Sequence, residues 1–274
     1  MALSAERGSA PWDLFILAII TTLLLQVLSN LANDYGDFQN GADNVARIGP
    51  SRAVQQGWIS PKAMRSAIIL ITILAILSGI YLLYRAFSGA ISLHFLLFLL
   101  LGIFAIAAAI KYTTGKNPYG YQGLGDVSVL FFFGVLGVTG SYFLFNSSFD
   151  YIALLPALSI GCFSTAVLNL NNMRDIENDE VSHKITLAVR LGNKKAKVYH
   201  FSLILFAWLS ITSYLFIQSD EILDWLCLLA MPPFLIHLLK VKKAKSAAQF
   251  DPELKKVALS TFLFSLLFLF SQIL

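Results

Sequence analysis

Charge is scarce in this chain. Only 13% of its 274 residues are Asp, Glu, Lys or Arg, where a soluble domain carries about 25%, so a water-facing surface is excluded for most of its length. Cysteine is nearly absent. Cys162 and Cys227 both lie inside apolar runs; without a CxxC or Cys/His spacing they point to no zinc, haem or disulfide framework, and they read as small buried hydrophobes. The four histidines, His94, His183, His200 and His237, show neither triad nor ligand spacing and are assigned no chemistry. The apolar runs do not alternate with polar residues, which excludes a β-barrel. No cleavable signal is expected either, because the start MALSAERGSAPWD is polar and the first apolar run lacks a small-residue cleavage site.

Apolar residues are what the chain has in abundance: 57% of it is hydrophobic and its mean hydropathy is +0.71. A helix needs roughly 20 such residues to cross the hydrocarbon core, so the prediction is an all-α, polytopic helical membrane protein folded as one domain over residues 1–274. Eight spans are expected, at roughly 13–32, 66–86, 91–110, 127–146, 151–171, 199–218, 222–239 and 257–274. Sorting the connections onto two sides puts the loops 33–65, 111–126, 172–198 and 240–256 together, and leaves only Arg7 and Arg85 of the 20 basic residues for the other side. By the positive-inside rule the long loops are cytoplasmic. The net charge of +4 is therefore a topology signal and not a nucleic-acid footprint. Eight spans in this orientation place the N-terminus outside, and a further span ahead of Met1 would return it inside.

One stretch organises the rest. NLANDYGD, Asn30 to Asp37, stands where the first apolar run ends, and NLNNMRDIEND, Asn169 to Asp179, closes another run about four crossings later. If the first helix continues past Ala32, Asp34 and Asp37 share a face, with Asn30 and Asn33 on the turn before. Asp175 and Asp179 are spaced for a common face in the same way. Paired carboxylates suit magnesium, a hard cation commonly shared between one or two carboxylates and substrate phosphates, and two facing pairs would hold ions around a diphosphate. Asn30, Asn33, Asn171 and Asn172 can hold waters or phosphate oxygens without adding repulsion. Arg47, Arg52, Lys116, Arg174 and Lys184 supply what a departing diphosphate needs, since negative charge grows on its bridging oxygen as the bond to carbon breaks.

A plainer reading makes such residues solvated loop residues and helix caps. It is preferred for Asp43, Asp150, Glu177, Glu180 and the run Lys194–Lys197, but not for the spaced aspartates, because carboxylates at apolar helix ends are costly unless used. Most aromatics are packing or lipid-facing residues; Phe131 to Phe133 and Tyr112 are candidates for shielding an allylic cation. GADNVARIGPSR and TGKNPYGYQGLGD read as ordered turns, and Ser60-Pro61 as an N-cap and first-turn proline. The matching clusters after the first and fifth spans suggest a pseudo-repeat of four spans.

These motifs resemble the two Asp-rich motifs of the UbiA superfamily of intramembrane prenyltransferases. More narrowly, SNLANDYGDFQNGADNVARIGPSR, YTTGKNPYGYQGLGD and NNMRDIENDEVSHKITLAVRLG resemble the 1,4-dihydroxy-2-naphthoate polyprenyltransferases of menaquinone biosynthesis. The resemblance implies an all-helical fold of usually nine spans around a central cavity open to lipid, in the cytoplasmic (inner) membrane. It implies transfer of a polyprenyl group from polyprenyl diphosphate to 1,4-dihydroxy-2-naphthoate, with loss of carbon dioxide, giving demethylmenaquinone. Carried over by position, Asn33, Asp34 and Asp37 with Asp175 and Asp179 hold magnesium and diphosphate, and Arg52, Lys116, Arg174 and Lys184 grip phosphate. Tyr112 and the loop from Pro118 to Asp126, with Tyr121 and Asp126 in it, shape the acceptor end. The superfamily's first motif often ends in a carboxylate four residues after its second Asp; here that residue is Gly41, and the next acid is Asp43.

Two alternatives stand beside this. An ion-coupled transporter would also carry intramembrane acids and a repeat, although these acids sit at helix ends and no two spans are broken by Gly or Pro at matching positions. A related prenyltransferase acting on 4-hydroxybenzoate, haem or a chlorin shares the Asp-rich motifs but not the YTTGKNPYGYQGLGD loop.

Overall fold

The computed structural model describes residues 12–44 and 48–272, which form helices joined by turns and loops, with no strand among them. Among the described residues, eight helical segments are long and apolar enough to cross a membrane. These are α1 (Trp12–Gln39), α2 (Pro61–Ala86), α3 (Leu93–Lys111), α4 (Gly125–Asn146), α5 (Tyr151–Arg174), a short α6 (Ile176–Val181) that is not a span, α7 (Leu187–Gln218), α8 (Ile222–Lys243) and α9 (Ala247–Ser271). Large apolar side chains such as Leu23, Leu77, Leu100, Phe206 and Phe262 are exposed on them, the pattern of helices solvated by lipid.

The spans begin and end differently from their apolar runs, for local reasons. α2 starts at Pro61 because Ser60 caps it, its hydroxyl accepting from the Ala63 N–H at 3.2 Å, while proline's missing donor is harmless in a first turn. α7 starts at Thr186, whose hydroxyl accepts from Val189 N at 3.3 Å, and it is interrupted at Gly192 with φ +68°, a backbone state that favours glycine. In α8 the first half, Ile222–Ala230, is 3₁₀. Pro232 and Pro233 have no N–H to bond the carbonyls four residues back, so the turn before them tightens. Asp150 is a helix cap as expected, accepting from Ile152 N at 2.9 Å.

Two compact units make up the chain. The N-terminal one takes α1 to α3, the following loop through Gln122, and the four residues Val181–Lys184. Its small core is Leu28, Val54, Met64 and Ile68, and Thr21 and Ser78 share a 2.7 Å hydrogen bond between α1 and α2. The C-terminal unit takes α4 to α9. Four aromatic rings knit it together: Phe163 of α5 stacks on Phe234 of α8 at 4.4 Å and meets Phe264 of α9 edge-on at 5.2 Å, and Trp208 of α7 lies 5.5 Å from Phe234 and 5.6 Å from Phe264. Cys162 and Cys227 are buried free thiols in this core. The boundary falls after the third span, not the fourth, so the units do not follow the four-span repeat read from the sequence. Gly134 and Gly161 explain why α4 goes with α5: a Cβ on Gly134 would come within 2.6 Å of Ala157 O and Gly161 Cα, so only glycine permits this backbone contact.

Candidate active site

In the N-terminal unit the acidic motif is helical to its end. α1 runs through Gln39, so Asp34 and Asp37 do share a face, and both are buried. Thr113, in the turn that follows α3, holds this last part of α1 in place. A Cβ on Gly36 would lie 2.5–2.6 Å from Thr113 Oγ1, C and O; the Thr113 hydroxyl lies 3.0 Å from Ala32 O and 3.2 Å from Asn33 Oδ1; and Asn40 donates to Thr113 O at 2.8 Å. Asp34 Oδ2 accepts the Ala53 N–H at 3.1 Å, while its Oδ1 is buried with no hydrogen-bond partner. Asp37 Oδ1 accepts the Tyr121 hydroxyl at 2.8 Å and lies 3.6 Å from Lys184 Nζ, which sits 5.3 Å from the centre of the Tyr121 ring.

Asp43 is not a solvated loop residue. It is buried, its Oδ2 3.7 Å from Arg52 Nε, because the backbone turns back on the helix end: Ala42 and Asp43 both donate to Asp37 O. Asp34 and Asp43 thus both meet the Arg52–Ala53 turn, while Asp37 meets Lys184 and Tyr121. Tyr121 reaches Asp37 from an ordered loop, in which Gly120 N donates to Tyr112 O at 3.0 Å and Tyr119 meets Tyr112 edge-on at 5.4 Å. Asn30 and Lys116 are exposed, and Arg47 lies outside the described residues.

In the C-terminal unit the second motif straddles a break. α5 ends at Arg174, Asp175 caps it, and the Asp179 N–H bonds to Asp175 O at 2.8 Å as α6 begins. Arg174 is buried and almost fully spent: Nε and Nη2 donate to the two oxygens of Asp175 at 2.8 and 2.7 Å, Nη2 also to Asn171 Oδ1 at 2.8 Å, and Nη1 to Asp251 Oδ1 at 2.7 Å. Asn172 and Asp179 are buried beside it in sequence. Asp126, at the start of α4, is buried with Oδ1 unsatisfied, and the Tyr199 side chain lies near it. Phe131 and Phe133 are exposed, and Phe132 half-buried.

Several of these partners escape sequence reasoning. Tyr199 and Asp251 lie far along the chain from the residues they hold, although Asp251-Pro252 is a recognisable helix start. The histidines are not all scattered: His200 and His237 are in contact, Nε2 to Nε2, at 2.8 Å, His237 Nδ1 meets Glu253 Oε2 at 2.9 Å, and Lys256 pairs with Glu253. Each stands alone in sequence, and only the packing of α7, α8 and α9 joins them. Among the described residues no three acidic, histidine or cysteine side chains converge as a ready-made metal shell. Magnesium keeps several waters and shares its shell with substrate phosphates, so a pair of carboxylates is the protein's usual share.

The family model for UbiA prenyltransferases matches residues 1–267. The chain belongs to the UbiA prenyltransferase family. It is 45% identical over 253 residues to a 1,4-dihydroxy-2-naphthoate octaprenyltransferase of Haemophilus influenzae, covering 92% of this chain and 82% of that one. Similarity to the protein of the same name from Escherichia coli is 42% over 257 residues, with the same coverage. A UbiA prenyltransferase domain-containing protein 1 of Dictyostelium discoideum is 28% identical over 252 residues, 89% of this chain and 74% of that one. As a member of this family with eight membrane-competent helices, the chain is a multi-pass membrane prenyltransferase.

Proposed function

We propose that this UbiA-family protein transfers a polyprenyl group from its diphosphate to 1,4-dihydroxy-2-naphthoate in the cytoplasmic membrane, with its long loops cytoplasmic. The new carbon–carbon bond forms at the ring carbon bearing the carboxylate, the diphosphate leaves with its bonding pair, and the carboxylate departs as carbon dioxide, giving demethylmenaquinone. The observation that carries this reading is the 45% identity, over 92% of the chain, to a protein named for that acceptor. The family match spans nearly the whole chain, which supports one functional domain.

The residues present fit magnesium. Asp34 Oδ1 is a buried carboxylate oxygen without a donor, an arrangement that is costly unless a cation completes it. Magnesium, when bound there, would neutralise the diphosphate and favour its departure. Asp34 and Asp37 are its proposed ligands in the N-terminal unit, Asp175 and Asp179 in the C-terminal one. Ala53 N–H and the Tyr121 hydroxyl hold the first two carboxylates in fixed orientations, so little reorganisation remains when the ion arrives. Lys184 and Arg52 carry the charge that meets diphosphate oxygens, with Asn33, Asn171 and Asn172 as neutral donors. Asp126, Tyr112 and the Tyr119–Gln122 turn are assigned to the aromatic acceptor.

The test is purified protein with a labelled polyprenyl diphosphate and either 1,4-dihydroxy-2-naphthoate or 4-hydroxybenzoate, with magnesium or with EDTA. Prenylated product and released carbon dioxide from naphthoate alone, only with magnesium, is the expected result. Product with 4-hydroxybenzoate instead would overturn the acceptor, and turnover in EDTA would overturn the metal assignment.

A further inference from the structure

The turn after α8 and the first residues of α9 are built to deliver one carboxylate. Lys197 donates to Ala244 O at 2.5 Å, and the Gln249 side chain accepts from Lys245 and Ser246 backbone N–H groups, closing a capping box on Ser246. Phe250 is fully buried, with Lys197 Nζ 5.6 Å from its ring centre. The next residue is Asp251, whose Oδ1 accepts from Arg174 Nη1 at 2.7 Å.

Arg174 therefore serves two carboxylates at once. Guanidinium has five N–H donors, and four bonds go to Asp175 (two), Asn171 and Asp251. The fork-to-fork pairing fixes the plane of the Asp175 carboxyl group and turns one lone pair of each oxygen toward the arginine, leaving the other of each for a further ligand. Charge matters as much as geometry. One positive charge against two negative ones leaves the trio at net −1, whereas Arg174 and Asp175 alone would be neutral and would attract a cation far less.

We propose that Asp251 is a positioning residue for prenyl transfer: it anchors Arg174, which in turn presents the Asp175 carboxylate, still partly negative, to a divalent cation. This rests on the reading above that Asp175 is a metal ligand. It gives Arg174 a different task from gripping phosphate, since its donors are already engaged by protein oxygens.

The test uses the full-length protein in detergent with Mn²⁺ alone as the probe, its binding read by electron paramagnetic resonance, beside the prenyl-transfer assay and thermal unfolding. Asp251→Asn keeps an acceptor oxygen and removes the charge; Asp251→Ala removes both. Loss of a group that orients a metal ligand weakens metal binding about 10- to 100-fold, so Mn²⁺ binding is expected to weaken about tenfold in Asp251→Asn and more in Asp251→Ala. Half-maximal activity shifts to higher magnesium in parallel, while kcat at saturating magnesium is largely recovered. Unchanged Mn²⁺ affinity in both variants, with wild type binding and turning over normally, overturns the proposal, and so does a fall in unfolding temperature alone. A wild-type protein that neither binds Mn²⁺ nor forms product removes the underlying reading and this inference with it.

Discussion

At the scale of single residues, Asp34 and Tyr121 separate what holds a charge from what orients one. Asp34 keeps one oxygen on a backbone N–H and leaves the other buried without a partner. Asp34→Asn keeps the shape but not the charge, and turnover is expected to fall at least ~100-fold with membrane insertion unchanged, as measured by prenyl transfer and membrane fractionation. Tyr121→Phe removes one hydroxyl bond to Asp37. A hydrogen bond to a charged group is worth about 1.5–3 kcal/mol, so a loss of about tenfold in kcat/KM for the prenyl diphosphate is expected, with Lys184 still in place. The aspartates were legible in the sequence because carboxylates interrupt an otherwise apolar chain. Their partners were less so: Ala53 acts through its backbone, which no side chain reports, and Asp251 and Tyr199 reach their partners only through helix packing.

At the scale of elements, the end of α1 carries the argument. Its helix continues through the polar motif, as the spacing of Asp34 and Asp37 requires, and Thr113 in the turn after α3 holds it at Gly36 and Asn40. Gly36→Ala places a methyl group against the Thr113 backbone; overpacking of this kind costs about 1–3 kcal/mol. A lower unfolding temperature and reduced turnover are expected together, and a second change, Thr113→Ala, is not expected to restore either, since backbone atoms of Thr113 are as close as its hydroxyl. Gly134→Ala in α4 should lower the unfolding temperature by a similar mechanism against Ala157 and Gly161. The second motif falls at a junction: α5 stops at Arg174 and α6 begins at Ile176, with the Asp179 N–H bonded to Asp175 O across it. The arginine before the junction bonds to Asp175 and to Asp251.

For the whole molecule, the distribution of basic residues sets an expectation that labelling can check. In a background of Cys162→Ala and Cys227→Ala, Lys62→Cys in the first turn of α2, at its long-loop end, and Asp220→Cys in a short turn are expected to react with a membrane-impermeant thiol reagent from opposite sides, Lys62→Cys only when the cytoplasmic face is open. Reaction of both from one side would reverse the assignment of loops. By itself the sequence determined the helical membrane class, the eight apolar crossings and the aspartates, because length, hydropathy and the expense of charge near lipid are properties of local composition. Tertiary structure alone decided which groups meet those aspartates: the Thr113 contact at Gly36, the Asp251–Arg174–Asp175 chain, the burial of Asp43 against Arg52 and the His200–His237–Glu253 series. These join residues that no one helix carries together, and the pairing depends on how helices and loops pack, which the spacing within a single helix does not encode.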